Sequence, residues 1–334
     1  MATAKLAIDF DSAFTNIYMT GGGLVLSEPT VSAVSSNDFS VKVIGEEAKK
    51  IIGKTAKNTK IVFPVFEGEI VNEKVASGVL GAFIKKISPK NSLMRSKAIF
   101  ALPCGYTAEM VDKYIKVAKS CNISKVWFAE SPVLSALGQR VPLNESNPCF
   151  VVDMAGGVTN IAAVSLDGVI AGVSINYGMN KICSDIIDYI VEKFGIQIGL
   201  LTAERLRKEI GSLDESDGLS TIVNGRDTMT GAPRAITLRA VDILPPIKKY
   251  YDKVADVASA VLKKLLPEVS AEIRHAGIYI SGVASEVYGL EKYYTIKFGI
   301  PIKLSENARF SVALGGGIVM GNNELLNKVC IKDI

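Results

Sequence analysis

The chain has 334 residues, of which 48% are hydrophobic and 22% charged, with a net charge of +4. This is the balance of a well-cored α/β protein of two domains or one large split domain, and the charge is too mild for nucleic acid to be the main partner. A single His, and five Cys without a CxxC pair, argue against His catalysis, a His or zinc metal site and a disulfide frame, and fit a reducing cytoplasm.

The N-terminus enters a strand pattern at once. It shows no secretory signal, and no apolar run reaches bilayer-spanning length. Lys5 to Asp9 reads as a buried strand, followed by a turn at Asp11-Ser12 and a second strand, Thr15 to Thr20. Leu24 to Val34 continues extended, broken at Pro29. Residues 45–53 form a short helix, and Asn72 to Ile87 carries helical apolar spacing at Val75, Val79, Leu80, Phe83 and Ile87. A strand at Ala98–Leu102 stops at Pro103. Thr107 caps a helix that runs to Ser120. A strand at Lys125–Ala129, with Trp127 in the core, leads into a helix at Pro132–Gln139.

The second half opens with the strand Cys149–Asp153. After Gly156-Gly157 come two strands joined at Asp167-Gly168. Helices are expected over Asn180–Phe194, over Thr202–Ile210 with Thr202 as cap, and over Asp242–Leu265 with Pro245 and Pro246 in its first turn. Residues 212–238 are polar and turn-rich, with Asp214 to Asp217 an exposed acidic loop. A strand at Ile278–Ser281, a helix at Glu286–Phe298, a strand at Ile300–Leu304 and a last helix from Ser311 complete the pattern. Strands alternating with helices in both halves mean α/β layers. His275 reads as a surface residue, and the Lys248–Tyr251 run as packing plus a solvated face.

One internal repeat organises the chain. Asp9-Phe-Asp-Ser-Ala-Phe-Thr-Asn-Ile17 and Asp153-Met-Ala-Gly-Gly-Val-Thr-Asn-Ile161 each place an Asp five residues before Thr-Asn-Ile, between two apolar strands. A tight hairpin of small residues can turn backbone N–H groups toward phosphate oxygens. An Asp at the strand end can hold Mg²⁺ through water, and Ser and Thr hydroxyls add donors. Two facing hairpins would clamp a phosphate tail. Two ordinary hairpins with Asp and Gly as turn formers are the plainer alternative.

These hairpins resemble those of the actin-like ATPase superfamily and, within it, of the MreB family of bacterial shape-determining filament proteins. The resemblance covers almost the full length. Leu26-Ser-Glu-Pro-Thr-Val31 is similar to the family's N-E-P-S-V segment, Val43-Ile-Gly-Glu-Glu-Ala-Lys49 to its V-G-x-E-A-K stretch, and Gly68-Glu-Ile-Val71 to its D-G-V-I-A segment. Thr202 to Gly211 resembles T-A-E-R-x-K-x-E-I-G, and Gly225 to Arg234 the G-x-D-x-x-x-G-x-P-R hairpin.

The resemblance implies an actin-like ATPase fold. Two ribonuclease-H-like lobes, each with a smaller inserted subdomain, would flank a nucleotide cleft. The first lobe would span residues 1–147 with its small subdomain at about 33–75, the second 148–334 with its small subdomain at about 180–243. ATP or GTP with Mg²⁺ would bind between them. Asp9 and Asp153 would hold the metal through water. Ser12, Ala13, Phe14, Thr15 and Asn16 of the first hairpin, and Gly156, Gly157 and Thr159 of the second, would hold phosphates. Glu204, Arg207 and Lys208, with Gly282, Val283, Ala284 and Ser285, would surround the nucleoside.

It further implies homopolymer protofilaments for cell shape or motility, paralogues as further partners, and a place at the inner face of the cell membrane. The membrane loop would be Asn91 to Met94, with Leu93 and Met94 at its tip beside Lys90, Arg95 and Lys97. A tip packed on its own lobe is the alternative.

The departures concern hydrolysis. In the family's E/D-E-P segment the Glu before Pro orients water. Here that position is Ser131, which cannot polarise water as a carboxylate does. Glu130, one residue earlier on an extended segment, would face the other side. Val158 stands where the family has the Thr of D-I-G-G-G-T-T, Ala155 replaces a Gly, and Asp11 replaces the usual Gly of the first hairpin. The chain therefore reads as a nucleotide-binding filament protein, at most a weak ATPase. A scaffold without ATPase activity and a small-molecule kinase on the same fold are the alternatives, although no Asp sits in a suitable kinase motif. A chaperone-type ATPase would need a peptide-binding domain.

Overall fold

The computed structural model describes residues 4–87, 96–144 and 147–331. The first half runs β1 (Lys5–Phe10), β2 (Phe14–Met19), β3 (Gly23–Pro29), β4 (Ser32–Ser35), β5 (Val41–Ile44), α1 (Gly45–Lys50), β6 (Thr59–Val62), β7 (Val65–Phe66), β8 (Glu69–Ile70), α2 (Glu73–Ile87), β9 (Ser96–Leu102), α3 (Ala108–Ser120), β10 (Ile123–Glu130) and α4 (Ser131–Gly138). The second runs β11 (Cys149–Met154), β12 (Thr159–Ser165), β13 (Gly168–Ile175), α5 (Met179–Phe194), β14 (Ile196–Gln197), α6 (Leu200–Ile210), β15 (Ser220–Asp227), β16 (Pro233–Arg239), α7 (Ala240–Leu262), α8 (Pro267–Ala276), β17 (Ile278–Ser281), α9 (Leu290–Phe298), β18 (Ile302–Leu304), α10 (Ser311–Gly321) and α11 (Asn323–Val329).

The repeat in sequence is a repeat in topology. One five-stranded sheet has the order β10-β9-β1-β2-β3, the other β13-β12-β11-β17-β18. In each, the opening strand pairs antiparallel with its hairpin partner and parallel with a strand reached through a helical crossover. Small sheets β5-β4-β6 and β14-β15-β16 stand apart from the large ones. Each half builds its own core. Leu6, Ile8, Phe83 and Phe100 anchor the first, and Phe150, Tyr250, Tyr251 and Tyr294 the second.

A third core joins the halves. It packs Ala7, Ile99 and Leu134 with Val312 and Val319 of α10. α10 crosses α4 at backbone contact, since a Cβ on Gly315 would stand 1.7 Å from the Leu134 carbonyl oxygen and one on Gly138 1.8 Å from that of Ser311. A Cβ on Gly316 would meet the Cβ of Ala7 at 2.8 Å. α10 thus lies against the first sheet.

Several local readings change. Thr107 does cap α3, its hydroxyl accepting from Met110 N–H at 3.2 Å. Thr202 does not cap α6, because the helix starts at Leu200 with Gly199 in the cap position. α7 starts two residues earlier than expected. Asp242 accepts from Arg239 N–H at 2.8 Å in a capping box, so Pro245 and Pro246 fall in the second turn. α9 begins at Leu290 rather than Glu286, and α8 and α11 are helices that the sequence reading lacks. Trp127 is half-buried at the edge of the shared core, and His275 is exposed on α8. Among the described residues no helix is long and apolar enough to cross a membrane. Leu93 and Met94 lie outside the described residues.

Candidate functional site

The two hairpins face each other at the carboxyl ends of β1 and β11, where open α/β sheets characteristically leave a ligand crevice. Each is closed by one backbone bond, Asp11 N–H to Phe14 O at 3.2 Å and Ala155 N–H to Val158 O at 3.0 Å. They approach so closely that a Cβ on Gly156 would sit 2.3 Å from the Cβ of Ala13, and one on Gly157 2.3 Å from Ser12 Oγ. Only glycine allows that contact.

The repeated Asp and Asn are cross-strand partners in both copies: Asp9 opposite Asn16, and Asp153 opposite Asn160. Asn16 Nδ2 donates to Asp9 Oδ2 at 3.0 Å, and Asn160 Nδ2 to Asp153 Oδ2 at 3.3 Å. The Asn of Thr-Asn-Ile therefore aims each carboxylate. Asp153 also accepts from Ser281 Oγ at 2.9 Å, and Ser281 shares a 2.6 Å hydrogen bond with Ser135 of α4. Ser135 was not among the sequence candidates. A serine in an apolar helix gives no warning that it faces the other lobe.

Burial pushes Asp9 well above the usual carboxylate range, reinforced by the nearby charges of Asp11 and Asp153, against the lowering hydrogen bond from Asn16. Burial likewise raises Asp153 to about 6 and raises Asp11. Three carboxylates of like sign, Asp153 buried and Asp9 and Asp11 partly buried, favour a cation in the cleft. No three acidic, His or Cys side chains among the described residues converge to grip a metal directly. The donor set thus suits Mg²⁺ held through water by Asp9 and Asp153.

The threonines have other roles. Thr15 Oγ1 is hydrogen-bonded to Thr30 Oγ1 at 2.8 Å. Thr159 Oγ1 donates to Tyr177 O at 2.6 Å and lies 2.7 Å from Tyr250 OH. Both are fully buried, so their hydroxyls lock the hairpins to the sheets, while Asp11, Phe14, Ala155 and Val158 of the hairpins line the cleft. Ser12 Oγ accepts from Gly68 N–H at 3.5 Å.

On the hydrolytic side, Ser131 is buried and its Oγ donates to Leu102 O at 3.0 Å. Val158 lines the cleft floor near Gly68. Glu130 is absent from the cleft lining. Its carboxyl is raised by burial and accepts from the backbone of Val169, on β13. The cavity bounded by Asp9, Asp11, Ser131, Asp153 and Val158 encloses about 50 Å³.

Beside it lies an open pocket of about 460 Å³, lined by Phe14, Glu46, Lys49, Glu204, Lys208 and Arg309 among others. Phe14 and Arg309 border both spaces, with the Arg309 guanidinium 3.6 Å above the Phe14 ring. Lys49 bridges the mouth to Glu204 at 2.5 Å. Arg207 is 2% exposed; its Nη1 donates to Glu286 O at 3.4 Å, while Nε and Nη2 have no partner among the described residues. Arg309 Nε and Asn16 Oδ1 are also buried without partners among the described residues. Such orphans are costly unless a ligand meets them, and two of these residues, Asn16 and Arg309, line the cleft. Gly282, at φ +87°, lets the chain turn where a Cβ would stand 2.2 Å from Met154 O. Val283 lines the cleft, Tyr251 OH donates to Ala284 O at 2.6 Å, and Ser285 Oγ donates to Gly282 O at 2.7 Å. Arg309 too escaped the sequence reading, because no motif contains it.

Two duplicated lobes with facing hairpins and paired carboxylates define an actin-like ATPase fold. The family model for the MreB/Mbl protein matches residues 3–328, and the chain belongs to that family. The cell shape-determining protein MreB of Escherichia coli (strain K12) is 32% identical over 324 residues, covering 95% of this chain and 93% of that protein. The cell shape-determining protein Mbl of Bacillus subtilis (strain 168) is 28% identical over 329 residues, covering 98% and 99%. The crystal structure of MreB5 of Spiroplasma citri bound to ADP aligns with a TM-score of 0.91 at 25% identity, covering 98% of each chain. The MamK double helical filament aligns with a TM-score of 0.81 at 16% identity, covering 96% of this chain and 99% of that one, a likeness of fold.

Proposed function

We propose that this chain is a nucleotide-binding cytoskeletal filament subunit that hydrolyses ATP slowly or not at all. The observation that carries the reading is the pair of facing hairpins whose Asn16 and Asn160 aim Asp9 and the buried Asp153, set beside Arg309, whose Nε is buried without a hydrogen-bond partner among the described residues. The nucleotide-bound MreB5 structures and the MamK filament support the same reading. ATP or GTP would place its nucleoside in the open pocket near Glu204, Arg207 and Lys208, under the turn at Gly282, Val283, Ala284 and Ser285. Its phosphates would lie on the hairpin backbones from Ser12 to Asn16 and at Gly156 and Gly157, with Mg²⁺ held through water.

Slow hydrolysis follows from the far wall. A water near Val158 and Ser131 meets a methyl group and a hydroxyl already donated to Leu102 O. Glu130 is turned to β13. No carboxylate is left in the positions where the family keeps its water-orienting groups. Single-turnover phosphate release under polymerising conditions tests this. Wild type should release phosphate far more slowly than an ordinary MreB, and Ser131→Glu with Val158→Thr should raise the rate. A wild-type rate equal to an ordinary homologue's would refute the reading.

Polymerisation into protofilaments for cell shape or motility, in the cytoplasm at the inner face of the membrane and alongside paralogues, belongs to the same proposal. Pelleting with and without ATP separates it from a scaffold indifferent to nucleotide. For the membrane surface, liposome co-sedimentation of a Leu93/Met94→Ser variant is the test, and unchanged binding would retire that part.

A further inference from the structure

The amide nest of the second hairpin is already filled by a side chain of the first. Asp11 Oδ2 accepts from Gly156 N–H at 2.8 Å and Oδ1 from Gly157 N–H at 3.4 Å, while Oδ2 also accepts from its own hairpin at Ala13 N–H, 3.2 Å. Two successive amides turned toward one anionic group are an anion-binding nest. Carboxylate and phosphate oxygens are equivalent acceptors for it, and both are anionic, so they cannot share it.

The contact around the nest is close. A Cβ on Gly156 would stand 2.4 Å from Asp11 Oδ2, which places the carboxylate flush against the second hairpin. The remaining cavity between the hairpins, bounded by Asp9, Asp11 and Asp153, is about 50 Å³. Asp9 and Asp153 cannot act in the same way, being held by Asn16 and by Asn160 with Ser281.

The route into the cleft gives the contact its consequence. The open pocket and the inner cavity meet at Phe14 and Arg309. A nucleotide whose base and sugar lie in the open pocket must pass its phosphate tail between those side chains. The last phosphoryl group is then the one that meets Asp11.

We propose that Asp11 is a specificity-determining residue: its carboxylate holds the Gly156–Gly157 nest against the terminal phosphate of a nucleoside triphosphate, so the cleft takes the diphosphate more readily. This rests on the nucleotide reading above. Before a triphosphate can settle, Asp11 must swing out and the hairpins must part. The nucleotide-driven step of this subunit is then set at entry as well as at hydrolysis.

The test uses the full chain with Mg²⁺ and fluorescent N-methylanthraniloyl forms of ADP and AMPPNP, titrated by anisotropy. Wild type should bind the diphosphate more tightly. Asp11→Gly should raise triphosphate-analogue affinity by about tenfold or more, and diphosphate affinity by less than about threefold. Asp11→Asn, isosteric and uncharged, guards against a folding defect in the glycine variant and should give an intermediate gain. An equal change for both nucleotides, or none, overturns the proposal. So does a fall in triphosphate affinity, the result if Asp11 served the nucleotide's cation instead. Binding of neither nucleotide by wild type or variants would overturn the nucleotide reading itself, and this proposal with it.

Discussion

Replacing Asp153 by Asn tests the electrostatics of the cleft directly. Asp153 is 1% exposed, and burial raises it from 3.8 to about 6 despite hydrogen bonds from Ser281 and Asn160. An acid raised on folding stabilises the native state only while protonated, so its contribution is present at low pH and lost as pH rises from 3.8 through about 6. The gap corresponds to about 3 kcal/mol of native-state penalty once the group is fully ionised. Asparagine keeps the shape and at least one of the two acceptor contacts while removing that charge. Urea unfolding followed by circular dichroism, in EDTA, should show the variant gaining on wild type as pH increases. The gain should be under ~1 kcal/mol more at pH 4 than its low-pH baseline, and ~2–3 kcal/mol more at pH 7.5. Working with the difference between the two proteins cancels other carboxylates, such as Asp227 and Asp252, whose pKa is lowered and whose effect has the opposite sign. A stability difference that does not move with pH would refute the reasoning, for it would mean that solvent or an ion reaches Asp153 freely.

Three further outcomes are expected. Gly315→Ala places a methyl against the Leu134 carbonyl and must force α4 and α10 apart, costing about 1–3 kcal/mol or more in urea unfolding, whereas Gly321→Ala, with open space around its Cβ, should change little. Lys49→Met removes the ion pair across the cleft mouth; at roughly a fifth exposure this should cost no more than ~1 kcal/mol of stability yet speed release of a bound fluorescent nucleotide in stopped flow. Thr107→Ala should lose about 1 kcal/mol through its missing N-cap bond to Met110, with nucleotide binding unchanged.

The hairpins were legible in the sequence because their signal is local: an apolar strand, a turn of small residues, and a repeated Asp and Thr-Asn-Ile frame. Cross-strand register then fixes which side chains meet, so Asp9 with Asn16 and Asp153 with Asn160 follow from the spacing alone. The missing hydrolytic groups at Ser131 and Val158 were visible for the same reason. Helix α8 was not read, although Pro267 at its start and Gly277 after its end were available signals, because only Ile273 is buried and the apolar period is faint. Thr202 misled as a cap since Thr is tolerated inside a helix first turn, and Gly199 holds the cap position without offering a side chain.

What joins the halves could be decided only in three dimensions. The Ser135–Ser281–Asp153 chain, the stacking of Arg309 on Phe14 and the Lys49–Glu204 bridge each unite residues far apart in sequence, and none carries a local pattern. Asp11 shows the division most clearly. By itself the sequence determined that a carboxylate stands where the family has glycine. The tertiary structure decided where the charge goes, because only the folded lobes bring the amides of Gly156 and Gly157 within hydrogen-bonding distance of it.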